Sequence, residues 1–144
     1  MSTTGKIITK AGTMKFELYD KETPNTAKNF TELSRKGFYK NLKFHRVLPE
    51  FVVQGGCPQG TGSGGPGYRI ACETTGDKQH HEKGVLSMAH AGKDTGGSQF
   101  FIVKGRPRTS HLDRNHTCFG MVTDGLDLID SIQQGDTFEI TIDD

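Results

Sequence analysis

The chain is predicted to be mainly β, closed as a barrel or folded as a sandwich, and three observations carry that prediction. Its apolar runs are short and several alternate with the period of a strand: Met14, Phe16 and Leu18 against Lys15, Glu17 and Tyr19, and Phe138, Ile140 and Ile142 near the end. Glycine is abundant, 19 of 144 residues, most of them between Gly55 and Gly105, so turns and exposed loops crowd the middle. Only two stretches carry helical spacing, and no strand–helix–strand alternation runs through the sequence, which argues against a parallel doubly wound sheet.

Taken in order, Lys6–Thr9 and Met14–Tyr19 read as two strands joined by a hairpin turn at Lys10-Ala11-Gly12. Thr23-Pro24 marks a helix start, with Thr23 as N-cap and Pro24 at the first helical position. Ala27, Phe30 and Leu33 then recur every three residues, and Gly37 falls where a left-handed C-terminal cap belongs. The stretch from Phe44 to Gly56, FHRVLPEFVVQGG, reads as buried strand, with Arg46 set among Phe44, Val47, Leu48, Phe51, Val52 and Val53. A charge in such a run needs a partner or a cleft to face. A glycine-rich loop, Gly60–Gly67, and a short run from Tyr68 to Cys72 follow. Glu73–Lys83 is polar and loop-like. Val85–Ala91 and Gln99–Val103 read as strands around an exposed loop at Gly92–Gly97, and Lys104–Asn115 as a polar connection. Phe119–Val122 is a strand, Leu126–Ile132 a short helix, and Phe138–Ile142 the closing strand. The sum is about eight short strands and two helices in one domain, residues 1–144, without internal repeats.

Composition narrows the function. Hydrophobic residues make up 32% and charged residues 24%, and the formal net charge is +1, so the chain has neither the basic footprint of a nucleic-acid binder nor that of a protein held on an anionic membrane. No apolar window approaches the ~20 residues of a membrane span. The N-terminus lacks a signal-peptide core, and Cys57, Cys72 and Cys118 are odd in number and form no CxxC pair. A reducing, cytoplasmic setting is therefore expected.

Chemistry-bearing patterns are mostly absent. Six histidines give no HxxxH or HExxH spacing, so no metal and no cofactor are expected. Ser87 and Ser98 lack the GxSxG turn of an exposed nucleophile. The glycine loop lacks the GK[ST] ending of a phosphate cradle and reads as a flexible rim. What remains binds without reacting. Arg46 and Gln54 flank Phe51; Met88-Ala89-His90-Ala91 offers small and soft surface. Gln99 precedes Phe100 and Phe101, whose rings face opposite ways on a strand, so one enters the core and the other lines a groove. Leu112, His116 and Phe119 add apolar and imidazole surface. Together they describe an apolar pocket edged by an arginine, two amides and a histidine.

The segments FHRVLPEFVVQGG, GTGSGGPGY, LSMAHAGKDTGGSQFFI and HLDRNHTCFGMV, in this order and at these spacings, resemble the cyclophilins over nearly the whole chain. The resemblance implies a closed eight-stranded antiparallel β-barrel capped by two α-helices, and peptidyl-prolyl cis-trans isomerase activity that assists protein folding. It places the family's active-site residues on Arg46, Phe51, Gln54, Ala89, Gln99, Phe101, Leu112 and His116, with Arg46 the catalytic one. Val52 stands where the family has a methionine, and His90 where it has an asparagine; both are kept as substrate-binding positions together with the neighbouring Ala91. His111, also kept as a substrate-binding position, stands where many eukaryotic members carry a tryptophan that contacts cyclosporin, so cyclosporin binding is expected to be weakened. The wording of the motifs is closer to bacterial than to animal members. The implied partners are proline-containing peptides and client proteins, with no nucleic acid and no membrane, and the expected state is a monomer. The competing reading is a proline-peptide-binding or chaperone-like module in which turnover is incidental.

Overall fold

In a computed structural model of the chain, which describes residues 2–143, nine strand segments form one antiparallel sheet that curls around a single large core. The first two strands, β1 (Thr4–Thr9) and β2 (Gly12–Leu18), pair as a hairpin whose register puts Thr9 opposite Gly12. The turn is thus only Lys10-Ala11, and Gly12 opens β2 rather than closing the loop. The remaining strands are β3 (Leu42–Lys43), β4 (Arg46–Val47), β5 (Val52–Gly55), β6 (Val85–Met88), β7 (Phe100–Val103), β8 (Cys118–Asp124) and β9 (Thr137–Ile142).

Across the sheet the order is β3-β9-β1-β2-β8-β6-β7-β5-β4. Its two ends, β3 and β4, are separated in sequence only by Phe44 and His45. One segment therefore meets β9 with its first half and β5 with its second, and it closes the curl. Counted as one interrupted strand, it brings the total to the expected eight; counted by its pairing, the sheet has nine.

Residues Phe44 to Gly56 form a hairpin rather than one continuous buried strand. Pro49 has no N–H to donate and Glu50 adopts φ 58, so the chain reverses between β4 and β5, with the Leu48 amide donating to the Val52 carbonyl. Arg46 is consequently exposed, on the outer limb of the hairpin. The strand expected at Val85–Ala91 ends at Met88, and Tyr68–Cys72 contributes only a single bridge, Ile70 to Gly96.

Helix α1 (Pro24–Arg35) covers one end of the sheet and buries Ala27, Phe30 and Leu33, as the spacing required. The Phe30 ring lies 5.0 to 5.8 Å from the rings of Phe119, Phe100, Tyr39 and Phe16, centring the core. Its C-terminus closes as foreseen: Gly37 at φ 77 donates to the Ser34 carbonyl and Phe38 donates to that of Leu33. Its N-terminus does not. The Thr23 hydroxyl donates backwards to the Tyr19 carbonyl, and the orphan amides of Asn25 and Thr26 are met by the carboxylate of Glu73, which also accepts from the Thr26 hydroxyl. The second helical cap, Leu126–Ser131, takes the tighter 3₁₀ form, and another 3₁₀ turn, Ser110–Leu112, interrupts the long polar connection.

Candidate functional site

A smaller apolar cluster lies on the other side of β5, β6 and β7 from the main core. Val52, Val85, Phe101, Val103 and Cys118 are buried in it, with Phe51, Ala89 and Leu112 packed on their edge. Strand alternation explains the division. Phe100 points into the main core, and its neighbour Phe101 points into this outer cluster. Above the cluster opens a cavity of about 190 Å³ lined by Arg46, Phe51, Val52, Gln54, Ala89, His90, Phe101, Leu112 and His116.

The polar edge is built by register. Arg46 on β4 lies directly opposite Gln54 on β5, and Gln54 opposite Phe101 on β7, so guanidinium, amide and ring form a row across three strands. Arg46 Nη1 donates to Gln54 Oε1 at 3.2 Å, and its guanidinium carbon stands 6.0 Å from the Phe51 ring centre. Gln54 Nε2 donates to Gln99 Oε1 at 3.1 Å, and Gln99 Nε2 donates to the carbonyls of Gly62 and Gly64, each at 2.8 Å. The glycine loop is thus tied down rather than a free rim. The amides of Gly62 and Gly64 in turn point at Cys57 Sγ, at 3.3 and 3.1 Å. Burial alone would raise this thiol's pKa, yet those amide hydrogen bonds outweigh it and hold it at about 7. The backbone can enter this arrangement because Gly56 has φ 95, and a Cβ there would lie 2.4 Å from the Ser98 carbonyl oxygen.

The opposite wall carries the histidines. His116 Nδ1 donates to the Met88 carbonyl at 2.8 Å, which fixes its tautomer and ring. The His90 ring stacks on it at 4.0 Å and 5°; His90 Nδ1 accepts from the Gly92 amide, leaving Nε2–H to donate to the Asn115 carbonyl. Burial lowers the His116 pKa and outweighs the Met88 hydrogen bond, and the neighbouring His90 adds to the lowering.

Of the residues singled out from the sequence, nine line this cavity, and Met88 and Phe119, expected to add to its surface, instead point into the main core. Three more stand beside it. Gln99 and Ala91 line an adjoining groove of about 750 Å³ that shares Gln54, Ala89 and His90 with the first. His111 is exposed and stacks on the outside of Phe51 at 6.2 Å and 22°.

A further constellation was invisible in the sequence. His81, fully buried, places Nδ1 at 3.0 Å from Asp113 Oδ1 and Nε2 at 2.8 Å from Ser87 Oγ. The three residues carry the connectivity of a hydrolytic triad, but Ser87 is also fully buried, and no substrate carbonyl can reach it. His81 and Ser87 are six residues apart and meet because the chain turns between them before entering β6, with the Val85 amide donating to the Glu82 carbonyl and Gly84 at φ 92. Among the described residues no group of three or more His, Cys, Asp or Glu could hold a metal ion.

Comparison with known proteins bears on this geometry. The family described as "Cyclophilin type peptidyl-prolyl cis-trans isomerase/CLD" matches residues 4–143. The chain is 55% identical over 137 residues to "Peptidyl-prolyl cis-trans isomerase B" of Bacillus subtilis, covering 94% of each, and 49% identical to a Helicobacter pylori peptidyl-prolyl cis-trans isomerase, covering 94% of this chain and 83% of that one. A crystal structure of a Cryptosporidium parvum cyclophilin-type isomerase superposes with a TM-score of 0.91 at 32% identity, covering 100% of this chain and 99% of that one. A second crystal structure of it, in the presence of the dipeptide Ala-Pro, superposes with a TM-score of 0.87 at 33% identity, covering 99% of both chains.

Proposed function

This chain belongs to the cyclophilin-type peptidyl-prolyl cis-trans isomerases, and from that membership we infer that the cavity of about 190 Å³ grips a proline ring while Arg46 lowers the barrier to rotation about the preceding bond. The activity is rotation about X-Pro peptide bonds in proline-containing peptides. The observation that carries the assignment of roles is the row Arg46–Gln54–Phe101 across β4, β5 and β7.

An amide resists twisting because its nitrogen donates into the carbonyl, with a barrier of about 18–20 kcal/mol. Nothing covalent has to form. In the twisted state the prolyl nitrogen regains its lone pair and becomes basic, and a donor aimed at it or at the prolyl carbonyl favours that state over the planar one. A guanidinium suits the task because it stays charged and offers five N–H groups, of which Gln54 occupies one here. Uncatalysed exchange takes about 10–100 s, so reaching milliseconds requires about four decades, or roughly 5.5 kcal/mol. A single preorganised charge-assisted donor contributes about 10²- to 10³-fold, and gripping the ring in a water-poor pocket supplies the remainder.

Phe51, Phe101 and Leu112, with Val52 and Ala89, hold the ring. A void of about 150 Å³ accommodates a benzene, so a five-membered ring fits a cavity of this size. Gln54 and Gln99 fix the peptide backbone, the Ala89–Ala91 segment meets it on the other side, and His90 and His116 close the rim. His116 transfers no proton in this reading, since rotation about the bond requires none, and its Nδ1–H is held by the Met88 carbonyl. Asparagine at the His90 position is unnecessary because the peptide is met by backbone there. The Ala-Pro dipeptide of the Cryptosporidium structure is the kind of ligand this pocket would take. Client proteins supply such prolines in flexible segments, cyclosporin binds weakly for want of a large ring at His111, and the chain acts as one domain and a monomer.

Exchange NMR on a short X-Pro peptide tests the function. Saturable acceleration of cis–trans exchange, with shifts in resonances of Phe101 and Leu112, is expected. Shifts without acceleration would favour the peptide-binding module, and neither effect would overturn both.

A further inference from the structure

We propose that His81, locked to Asp113 and Ser87, is a positioning residue for the proline pocket: it backs the floor ring and anchors the wall that faces it. The inference rests on the reading of the cavity as the proline site and adds residues that do not touch the cavity.

A buried imidazole is an unusual filler. Its two ring nitrogens each cost free energy if unpaired, and an apolar side chain of similar volume would avoid that cost. Here both are paired, and each partner belongs to a different part of the pocket. Ser87 sits on β6 directly opposite Phe101 on β7. Asp113 follows Leu112 at the end of the 3₁₀ turn that supplies the opposite wall. The His81 ring itself lies nearly parallel to that of Phe101, at 5.8 Å and 17°, so it forms the surface against which the floor ring rests.

The charges settle how the device is held. The Asp113 carboxylate accepts from the His81 backbone amide at 2.7 Å, from His81 Nδ1–H, and from Arg106 Nη2 at 2.7 Å; Arg106 Nη1 donates to the His81 carbonyl. With Nδ1–H given to Asp113, Nε2 accepts the Ser87 hydroxyl proton. The tautomer is therefore fixed, and burial favours the neutral ring. Cys118 Sγ, 3.5 Å from Nε2, is a thiol whose pKa burial pushes up to about 12, so it adds no charge. The polar string from Arg106 through Asp113 and His81 to Ser87 thus braces the turn carrying Leu112 against the strands carrying Phe101. Loss of the brace would leave Arg46 and Gln54 where they are and loosen the grip on the ring.

Steady-state exchange NMR across peptide concentrations, on wild type, His81→Phe, Asp113→Ala and the double variant, separates KM from kcat. The phenylalanine keeps a flat ring behind Phe101 and removes both hydrogen bonds. The proposal predicts KM raised about tenfold in each single variant, the scale of one lost hydrogen bond, with kcat within about threefold. The double variant should be no worse than the worse single one, because the two residues act through one brace. An unchanged KM in a folded variant, or additive losses in the pair, overturns it. Should His81→Phe fail to fold, Asp113→Ala, at a partly exposed position, decides alone by its KM. An inactive wild type in the same assay would instead contradict the proline-site reading on which the inference rests.

Discussion

Arg46 is a costly residue to hold in place on an exposed hairpin limb, and the structure uses a neighbouring amide rather than a carboxylate to do it. In the proposed role, a carboxylate partner would neutralise the field meant for the twisting amide, whereas Gln54 accepts from the guanidinium and leaves its charge intact. The histidines around the pocket carry a pH consequence. His81 and His116 are both lowered, chiefly by burial, from the ordinary 6.5. The fold thus prefers them neutral; the stability this contributes is complete above about pH 6.5 and is lost as pH falls and the unfolded chain takes up protons first. Denaturant midpoints should drop between pH 7 and pH 5, and drop less in His81→Phe; an equal drop in the variant would show that His81 does not contribute. Asp113, which burial would raise but which Arg106 and His81 hold down to about 2, adds a further loss below its ordinary 3.8. His111 makes a separate point. It extends the outer face of Phe51, so His111→Trp should tighten cyclosporin, and an affinity unchanged in a titration would remove this residue from the account.

At the scale of elements, the helix shows how far local sequence reaches. Pro24, the three-residue apolar spacing and Gly37 located α1 correctly, because first-turn geometry, one buried face and a left-handed cap are local requirements. The cap at its start was not local. Glu73, 47 residues from Thr26, supplies it, and nothing in the order Thr23-Pro24 announces a tertiary partner. Glu73→Ala should cost about 1–2 kcal/mol, the range of a helix cap reinforced by charge, read as a lower urea midpoint. A midpoint within error of wild type would show that water satisfies those amides as well. The hairpin at Leu48–Glu50 was hidden for another reason: continuous apolar residues suggest one strand, and only Pro49 marked the reversal. Reading the run as a hairpin converts an eight-residue separation into the direct pairing of Arg46 with Gln54.

For the molecule as a whole, the curled sheet provides two faces with different duties. The inner face packs Phe16, Phe100, Phe119 and Phe138 against Phe30 of α1 in one core, and the outer face of β5, β6 and β7 carries the pocket. Most of that pocket was legible in the sequence through motifs that resemble the cyclophilins, which placed Arg46, Gln54 and Gln99, and through strand alternation, which separates Phe101 from Phe100. The brace behind it was not, since His81, Ser87 and Asp113 come from a loop, a strand and a turn that only the closed sheet brings together. The central claim is that isomerisation here is electrostatic, and that one guanidinium supplies a large share of it. The direct test is exchange NMR on an X-Pro peptide with wild type and Arg46→Ala at matched peptide occupancy. The account predicts a loss of about 10²- to 10³-fold in catalysed exchange, with peptide affinity changed by less than about tenfold. Equal acceleration by the two proteins would contradict it.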